Sequence, residues 1–182
     1  MSIGIKGMTN SYNSNSCPQM HAIELSIPFI QRAIEVLDLS SLPSTQLLII
    51  ADFGSSHGLN SMYAMKTIVI FGLANGRSFY EQCLTLNSLS IGYSSASLQW
   101  MSCKQCNISN YCVSFFCSND EYDKFKQQAH LDYSRFLEYR SNELIPSGVL
   151  ILCFPCLNDK GLFDFEILFQ LLYKCVTLLS IT

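Results

Sequence analysis

Two short, unbroken apolar runs constrain what this chain can fold into. "LLIIAD" (Leu47 to Asp52) and "VLILCF" (Val149 to Phe154) are each the length of a strand. A strand apolar on both sides has to be covered on both faces. The segments around them carry helical spacing instead. Pro18 to Leu39 sets Ile23, Ile27, Ile30, Ile34 and Leu37 at helical intervals, with Pro28 as a candidate kink. A turn rich in glycine and serine follows the first run, and Asn60 to Ile70 returns to helical composition. "SLSIGYS" (Ser88 to Ser94) reads as a third strand, and Met101 to Cys112 as an exposed connection. The segment from Ser118 to Ile145 opens with Ser118 or Asn119 as an N-cap and places Asp120 and Glu121 in its first turn. It aligns Ala129, Tyr133, Phe136 and Leu137 on one face, and "PSG" (Pro146 to Gly148) stops it. Helices alternating with buried strands are the order of a parallel α/β sheet with helices on both faces.

Composition narrows the class further. Of 182 residues, 49% are hydrophobic and 14% charged, which suits one compact domain with a core. The formal net charge is -3, with Lys and Arg scattered, so neither nucleic acid nor an anionic membrane surface is an expected partner. The start, "MSIGIKGMTNSYNSNS", is too polar for a secretory signal, which makes a cytoplasmic location the expectation. Nine cysteines in a reducing compartment then argue against a disulfide framework. The C-terminal "LFDFEILFQLLYKCVTLLSIT" is interrupted by Asp164, Glu166, Gln170 and Lys174, and reads as a buried or partner-seeking helix rather than a membrane span.

The chemistry concentrates in "IIADFGSSHGLNS", Ile49 to Ser61. In a parallel sheet the ligand sits beyond the carboxyl ends of the strands, so the turn from Asp52 to Asn60 lines the mouth of a pocket. The dinucleotide pattern G-x-G-x-x-G and the phosphate-loop Gly-Lys-Ser/Thr are both absent. An acid beside a glycine turn suits a ligand with a cationic or hydroxyl-rich part, and S-adenosylmethionine, a sulfonium carrying an amino acid, is one such ligand. A tight strand-to-helix turn with Ser55 and Ser56 as helix caps explains the same residues without a ligand.

Four motifs in order resemble the SABATH carboxyl methyltransferases, S-adenosylmethionine-dependent enzymes acting on small acids and, in some branches, on ring nitrogens. They are "SYNSNSCPQ" (Ser11 to Gln19), "IADFGSSHGLNS", "SFYEQCLTLNSLSIGYSSASLQWMS" (Ser78 to Ser102) and "DYSRFLEYRSNELIPSGVLIL" (Asp132 to Leu152). The resemblance implies a Rossmann-like methyltransferase sheet. It implies that Tyr12, Ser16, Asp52, Gly54, Ser55 and Asn60 lie around S-adenosylmethionine, with Ser78 and Phe79 beside its adenine. Gln19 and Trp100 would hold the substrate carboxylate. A carboxylate is ionised near neutral pH, so the implied chemistry needs no general base and no metal, only positioning.

The chain also departs from that family. Between Ile70 and Ser78 it has only "FGLANGR", where the family carries a second strand and an acid of the kind that grips ribose hydroxyls. The helical cap over the substrate is also missing, so residues 1–182 are expected to form a single, shortened methyltransferase domain. Ala96 and Gln99 stand where larger side chains often line the family's acyl pocket, which leaves the substrate open. Two alternatives from other classes stand beside this reading. One is a catalytically inactive fragment acting through binding or self-association, including homo-oligomers. The other is a zinc module built on Cys103/Cys106 and Cys153/Cys156. The histidines His21, His57 and His130 are too scattered to form a ligand set.

Overall fold

The structure, a computed structural model, describes residues 17–38, 40, 47–54, 63, 65, 76–108, 117–156, 158–160, 171, 174 and 175. Five elements follow one another: α1 (Cys17–Val36), β1 (Ile50–Asp52), β2 (Leu89–Ser95), α2 (Asn119–Glu143) and β3 (Leu144–Cys153). The strands form a parallel sheet in the order β1-β2-β3, so the expected α/β architecture is present. The chain divides into two compact units, Met1–Trp100 with Tyr133–Phe154, and Met101–Asp132 with Pro155–Thr182. The sheet belongs to the first.

Because β2 is the middle strand, its residues from Leu89 to Ser94 are all buried, whereas β1 and most of β3 are half-buried. The apolar run ahead of Asp52 is a covered strand only at its end. Leu47 is 78% exposed, and pairing begins at Ile50, which lies opposite Ile91. The amides of Ser90 and Ile91 both reach the Ile49 carbonyl, at 2.9 and 3.2 Å. Two donors on one acceptor make a bulge, and a bulge reverses the alternation of side chains along the strand. Leu89 and Tyr93 would share a face of a regular strand, yet here they enter different clusters. Tyr93 packs with Ile23 and Ile30 of α1 and with Ile151, while Leu89 packs with Phe53, Tyr80, Phe136, Leu150 and Leu152. Gly92 turns to that second face, where a Cβ would come within 2.7 Å of Leu150 Cδ1. Helices therefore cover both faces, α1 on one and the C-terminal part of α2 on the other.

The apolar stripe expected on α1 is the buried one: Ile23, Ile30, Ala33 and Leu37 face inward. Pro28 sits on the exposed side, and the helix runs through it. Ser26 fixes the helix rotation. Its hydroxyl donates to the Ala22 and Ile23 carbonyls (2.7 and 3.0 Å), leaving its oxygen to accept the Tyr93 phenol at 2.8 Å.

Ser118 is the N-cap of α2, in a capping box: the Ser118 amide donates to Glu121 Oε2 (2.8 Å) and the Glu121 amide to Ser118 Oγ (3.4 Å). The buried face of α2 differs from the expected one. Ala129, Tyr133 and Leu137 are exposed, and the inward stripe is Phe125, Asp132, Phe136, Arg140 and Glu143. Three of these five are charged types, and their buried partners, not apolar count, set the rotation. Nor does "PSG" end the helix. The Asn142 and Glu143 carbonyls accept the Asn87 and Ser88 amides (3.0 and 2.8 Å), and β3 starts at once at Leu144. Pro146, Ser147 and Gly148 lie inside β3, where the register jumps from Leu89↔Leu144 to Ile91↔Val149 and Ser147 takes φ 67. Residues 101–108 are irregular, as expected for a connection. Of the helices expected over 60–70 and at the C-terminus, only Tyr63, Met65, Leu171, Lys174 and Cys175 are described, all helical; the rest lie outside the described residues. No described helix is long and apolar enough to cross a membrane.

Two predictions follow from this geometry. A left-handed conformation costs a non-glycine residue about 1 kcal/mol, so Ser147→Gly raises stability by up to that amount in urea unfolding. Burial pushes the Tyr93 phenol above its ordinary 10.0, and the nearby Asp52 charge adds to the shift. The unfolded phenol therefore ionises first, and stability that is intact below about pH 10 declines as pH rises further. Tyr93→Phe, which loses one hydrogen bond worth about 1 kcal/mol, is the weaker protein near neutrality, and the gap narrows above about pH 10 when unfolding is followed against pH.

Candidate functional site

The end of β1 is built by its neighbour. Asp52 lies opposite Tyr93 in register, and the Phe53 amide donates to the Tyr93 carbonyl at 2.8 Å. The chain then turns at Gly54 with φ 90, and a Cβ there would collide with the Cβ and Oγ of Ser97. Only glycine satisfies both the conformation and the contact. Two serines hold the turn: Ser94 Oγ donates to the Phe53 carbonyl and Ser97 Oγ to the Gly54 carbonyl, each at 2.9 Å. Ser97 also lies 3.0 Å from the Ser95 carbonyl, within the tight bend where Ala96 takes φ 51. Ser94 and Ser97 of "SSAS" are thus the fasteners of the Asp52–Gly54 turn.

Phe79 comes to the same place from another loop, its Cε1 3.4 Å from where a Gly54 Cβ would stand. Its ring is half-buried against Tyr80 (4.4 Å between centroids) and Phe136 (6.4 Å). It is at once a core aromatic and a wall beside the turn. Ser78 precedes it, exposed, its Oγ accepting the Tyr80 amide at 3.3 Å.

The loop from Ser78 to Leu84 is clamped from the last turn of α2. Arg140 and Glu143 are both fully buried. The guanidinium donates to the Phe79 carbonyl from Nη1 and to the Glu81 carbonyl from Nη2, each at 2.9 Å. Nη2 also donates to Glu143 Oε1 at 2.9 Å, and Nε lies 2.8 Å from Glu143 Oε2 as an ionic contact off hydrogen-bond alignment. Glu143 Oε1 further accepts the amides of Cys83 (2.6 Å) and Leu84 (2.9 Å). The guanidinium carbon lies over the Phe53 ring, 4.1 Å from its centroid, a cation–π contact freed from competition with water. Burial pushes the Cys83 thiol up, against the pull of Arg140, so it is protonated near neutrality and acts as packing.

Trp100 stands on the turn after β2. Its amide donates to the Ser97 carbonyl at 3.0 Å and its carbonyl accepts Tyr80 Oη at 2.7 Å, while the residue is 61% exposed. It is no core anchor. Gln19 lies in the first turn of α1, half-buried, and its Oε1 is buried with no hydrogen-bond partner. That oxygen is an acceptor, so what it lacks is a hydrogen-bond donor.

Of the residues implied by the resemblance, the structure gathers Asp52, Gly54, Ser78 and Phe79, and ties Trp100 to the Phe79 loop through Tyr80. Gln19 stands apart on α1, a helix joined to the strand residue opposite Asp52 by the Ser26–Tyr93 bond. Tyr12, Ser16, Ser55 and Asn60 lie outside the described residues. Sequence reasoning missed Tyr80, Ser94, Ser97, Arg140 and Glu143, although all five stand inside the quoted motifs. It missed Asp132 as well, whose buried carboxylate in the second unit accepts the Ser102 amide (2.8 Å), the Ser102 hydroxyl (2.7 Å) and Gln128 Nε2 (2.8 Å). Among the described residues no group of three or more His, Cys, Asp or Glu could hold a metal ion; Cys103, Cys106, Cys153 and Cys156 are free thiols.

Removing Glu143 leaves a buried guanidinium and two amides without their acceptor, so Glu143→Ala is expected to cost about 3–5 kcal/mol in urea unfolding.

A family model for SAM-dependent carboxyl methyltransferases matches residues 4–71 and 69–180, two stretches that meet at 69–71. Methyltransferase FUS9 of Gibberella fujikuroi is 26% identical over 193 aligned residues, taking in 83% of this chain and 52% of that protein. Salicylate carboxymethyltransferase of Clarkia breweri is 25% identical over 193, taking in 79% and 54%. The alignments are longer than the shares of the 182-residue chain they use, so these relatives carry residues within the matched region that this chain lacks. The chain spans about half the length of the curated relatives it matches. Among solved structures, loganic acid methyltransferase with SAH shares the fold, with a TM-score of 0.69 and 21% identity over 93% of this chain and 63% of that one. Matched along nearly its whole length, and with motif residues gathered at the carboxyl end of a parallel sheet, the chain belongs to the SAM-dependent carboxyl methyltransferase family.

Proposed function

We propose that this chain binds S-adenosylmethionine at the Asp52–Gly54 turn and transfers its methyl group to the carboxylate of a small acid, residues 1–182 acting as one methyltransferase domain. The observation that carries the reading is the meeting of Gly54, Phe79 and Ser97. A turn with an acid at its start, a backbone bare of any Cβ and an aromatic wall at its side suits an adenosine-bearing cation. Asp52 supplies negative charge and hydrogen-bond acceptors. Phe79 offers a ring to the adenine, and Ser78 a hydroxyl beside it. Tyr12, Ser16, Ser55 and Asn60 complete the cofactor side in this reading.

The cofactor supplies an electrophilic methyl on a positively charged sulfur. The acid arrives ionised, so this chain removes no proton. The amide of Gln19 and the indole N–H of Trp100 hold one carboxylate oxygen and aim the other, and rate comes from that alignment. Anion and sulfonium become a neutral ester and a neutral thioether, so a half-apolar site favours the product side of the charge change. The names of the relatives, salicylate and loganic acid methyltransferases, make a small organic acid the substrate class to test.

A second reading has its own observation. No Asp or Glu stands between Asp52 and Glu81, and the family match breaks in that interval. A chain without the acid that grips ribose hydroxyls acts through binding or self-association rather than turnover. Titration with S-adenosylhomocysteine by calorimetry separates the two. Saturable binding in the wild type that weakens at least about tenfold in Asp52→Ala is the expected result for the cofactor site. A folded wild type that evolves no heat of binding leaves the second reading.

A further inference from the structure

We propose that Tyr80 is a positioning residue that ties the aim of the Trp100 indole to the loop beside the cofactor. The inference rests on the cofactor reading above, and it concerns how the two halves of that site communicate. Tyr80 is 4% exposed and lies between Phe79 and Glu81, whose carbonyls are both held by Arg140. The residue is therefore fixed on both sides, and its ring is tilted 43° against that of Phe79.

Its hydroxyl has one proton. The shorter contact, 2.7 Å to the Trp100 carbonyl, takes it, with the Leu98 carbonyl at 3.3 Å as a second, weaker acceptor. Trp100 is otherwise held at its amide by Ser97, the residue that also fastens the Gly54 carbonyl. A side chain 61% exposed gains little orientation from packing, so these two backbone tethers aim the indole. One tether comes from Ser97, which fastens the cofactor turn, and the other from the Phe79 loop. A ligand that presses on Phe79 moves Tyr80, and Tyr80 moves the backbone of Trp100.

The test uses Tyr80→Phe, which removes one oxygen and keeps the ring, beside the wild type and an exposed control, Tyr122→Phe. Trp100 is the only tryptophan, so its fluorescence reads this one site. S-adenosylhomocysteine binding is measured by calorimetry, and Trp100 emission and acrylamide quenching are measured with and without it. The expected result is retained, saturable S-adenosylhomocysteine binding in Tyr80→Phe, increased quenching of Trp100, and loss of the emission change that the ligand induces in the wild type and in Tyr122→Phe. A purely structural role would lower the unfolding midpoint of Tyr80→Phe and leave quenching of its folded state unaltered. Quenching and ligand response equal to wild type overturn the proposal. A wild type that binds no S-adenosylhomocysteine overturns the cofactor reading and the coupling with it, whereas the quenching comparison judges the tether by itself. Should Tyr80→Phe not fold, Arg140→Lys, which loosens the carbonyls flanking Tyr80, is expected to show the same loss of response, and a retained response overturns the proposal.

Discussion

The buried Arg140–Glu143 pair is the interaction on which the rest of the site depends. Taking two charges out of water costs several kcal/mol per ion, and attraction between them offsets that only when every remaining donor and acceptor is engaged. Here the engagement falls on the backbone of a single loop: carbonyls at 79 and 81, amides at 83 and 84. Three residues further on, the last carbonyls of α2 take the amides of Asn87 and Ser88. The chain from Ser78 to the start of β2 is thus held against one helical turn, at the backbone of residues 79, 81, 83, 84, 87 and 88. Phe79, Tyr80 and, through the guanidinium's cation–π contact with Phe53, the end of β1 take their places from this pair.

The parts of the fold legible in the sequence were those governed by apolar periodicity. Ile23, Ile30 and Leu37 marked the inner face of α1, and "SLSIGYS" marked the central strand within one residue. Periodicity failed on α2 for a physical reason. It treats a charged residue as facing water, so it selected Ala129, Tyr133 and Leu137 and passed over Asp132, Arg140 and Glu143, whose burial depends on partners distant in sequence. "PSG" misled in the same way. Its residues carry a turn signal, but the helix before it ends because Asn87 and Ser88 supply donors to its last carbonyls, and the Pro-Ser-Gly irregularity is absorbed inside β3.

The candidate site was legible mainly through motif order. Asp52, Gly54 and Phe79 were named from the resemblance, and the structure brings them together. The serines of "SSAS" were quoted but assigned nothing, since a hydroxyl aimed at a backbone carbonyl leaves no periodic trace. Their role also bears on the chain's departure from its relatives. The turn after β1 is fastened from the β2 side, by Ser94, Ser97 and the Tyr93 carbonyl. These fasteners of Phe53 and Gly54 lie on the β2 side, away from residues 69–71 where the family match breaks.

The bulge at Ser90 and Ile91 acts as a parity switch for the whole sheet. Upstream of it, Leu89 packs with Phe136; downstream, Gly92 faces that cluster and Tyr93 the other, which is why Ser94 can reach the Phe53 carbonyl while Tyr93 reaches α1. Had β2 run without the extra residue, its hydroxyl and its phenol would have exchanged sides. The serine would then sit beneath an apolar helix and the phenol would crowd the glycine turn. A single inserted peptide unit, placed four residues ahead of the turn-holding serine, thus decides which face of the sheet meets the glycine turn and which packs against α1.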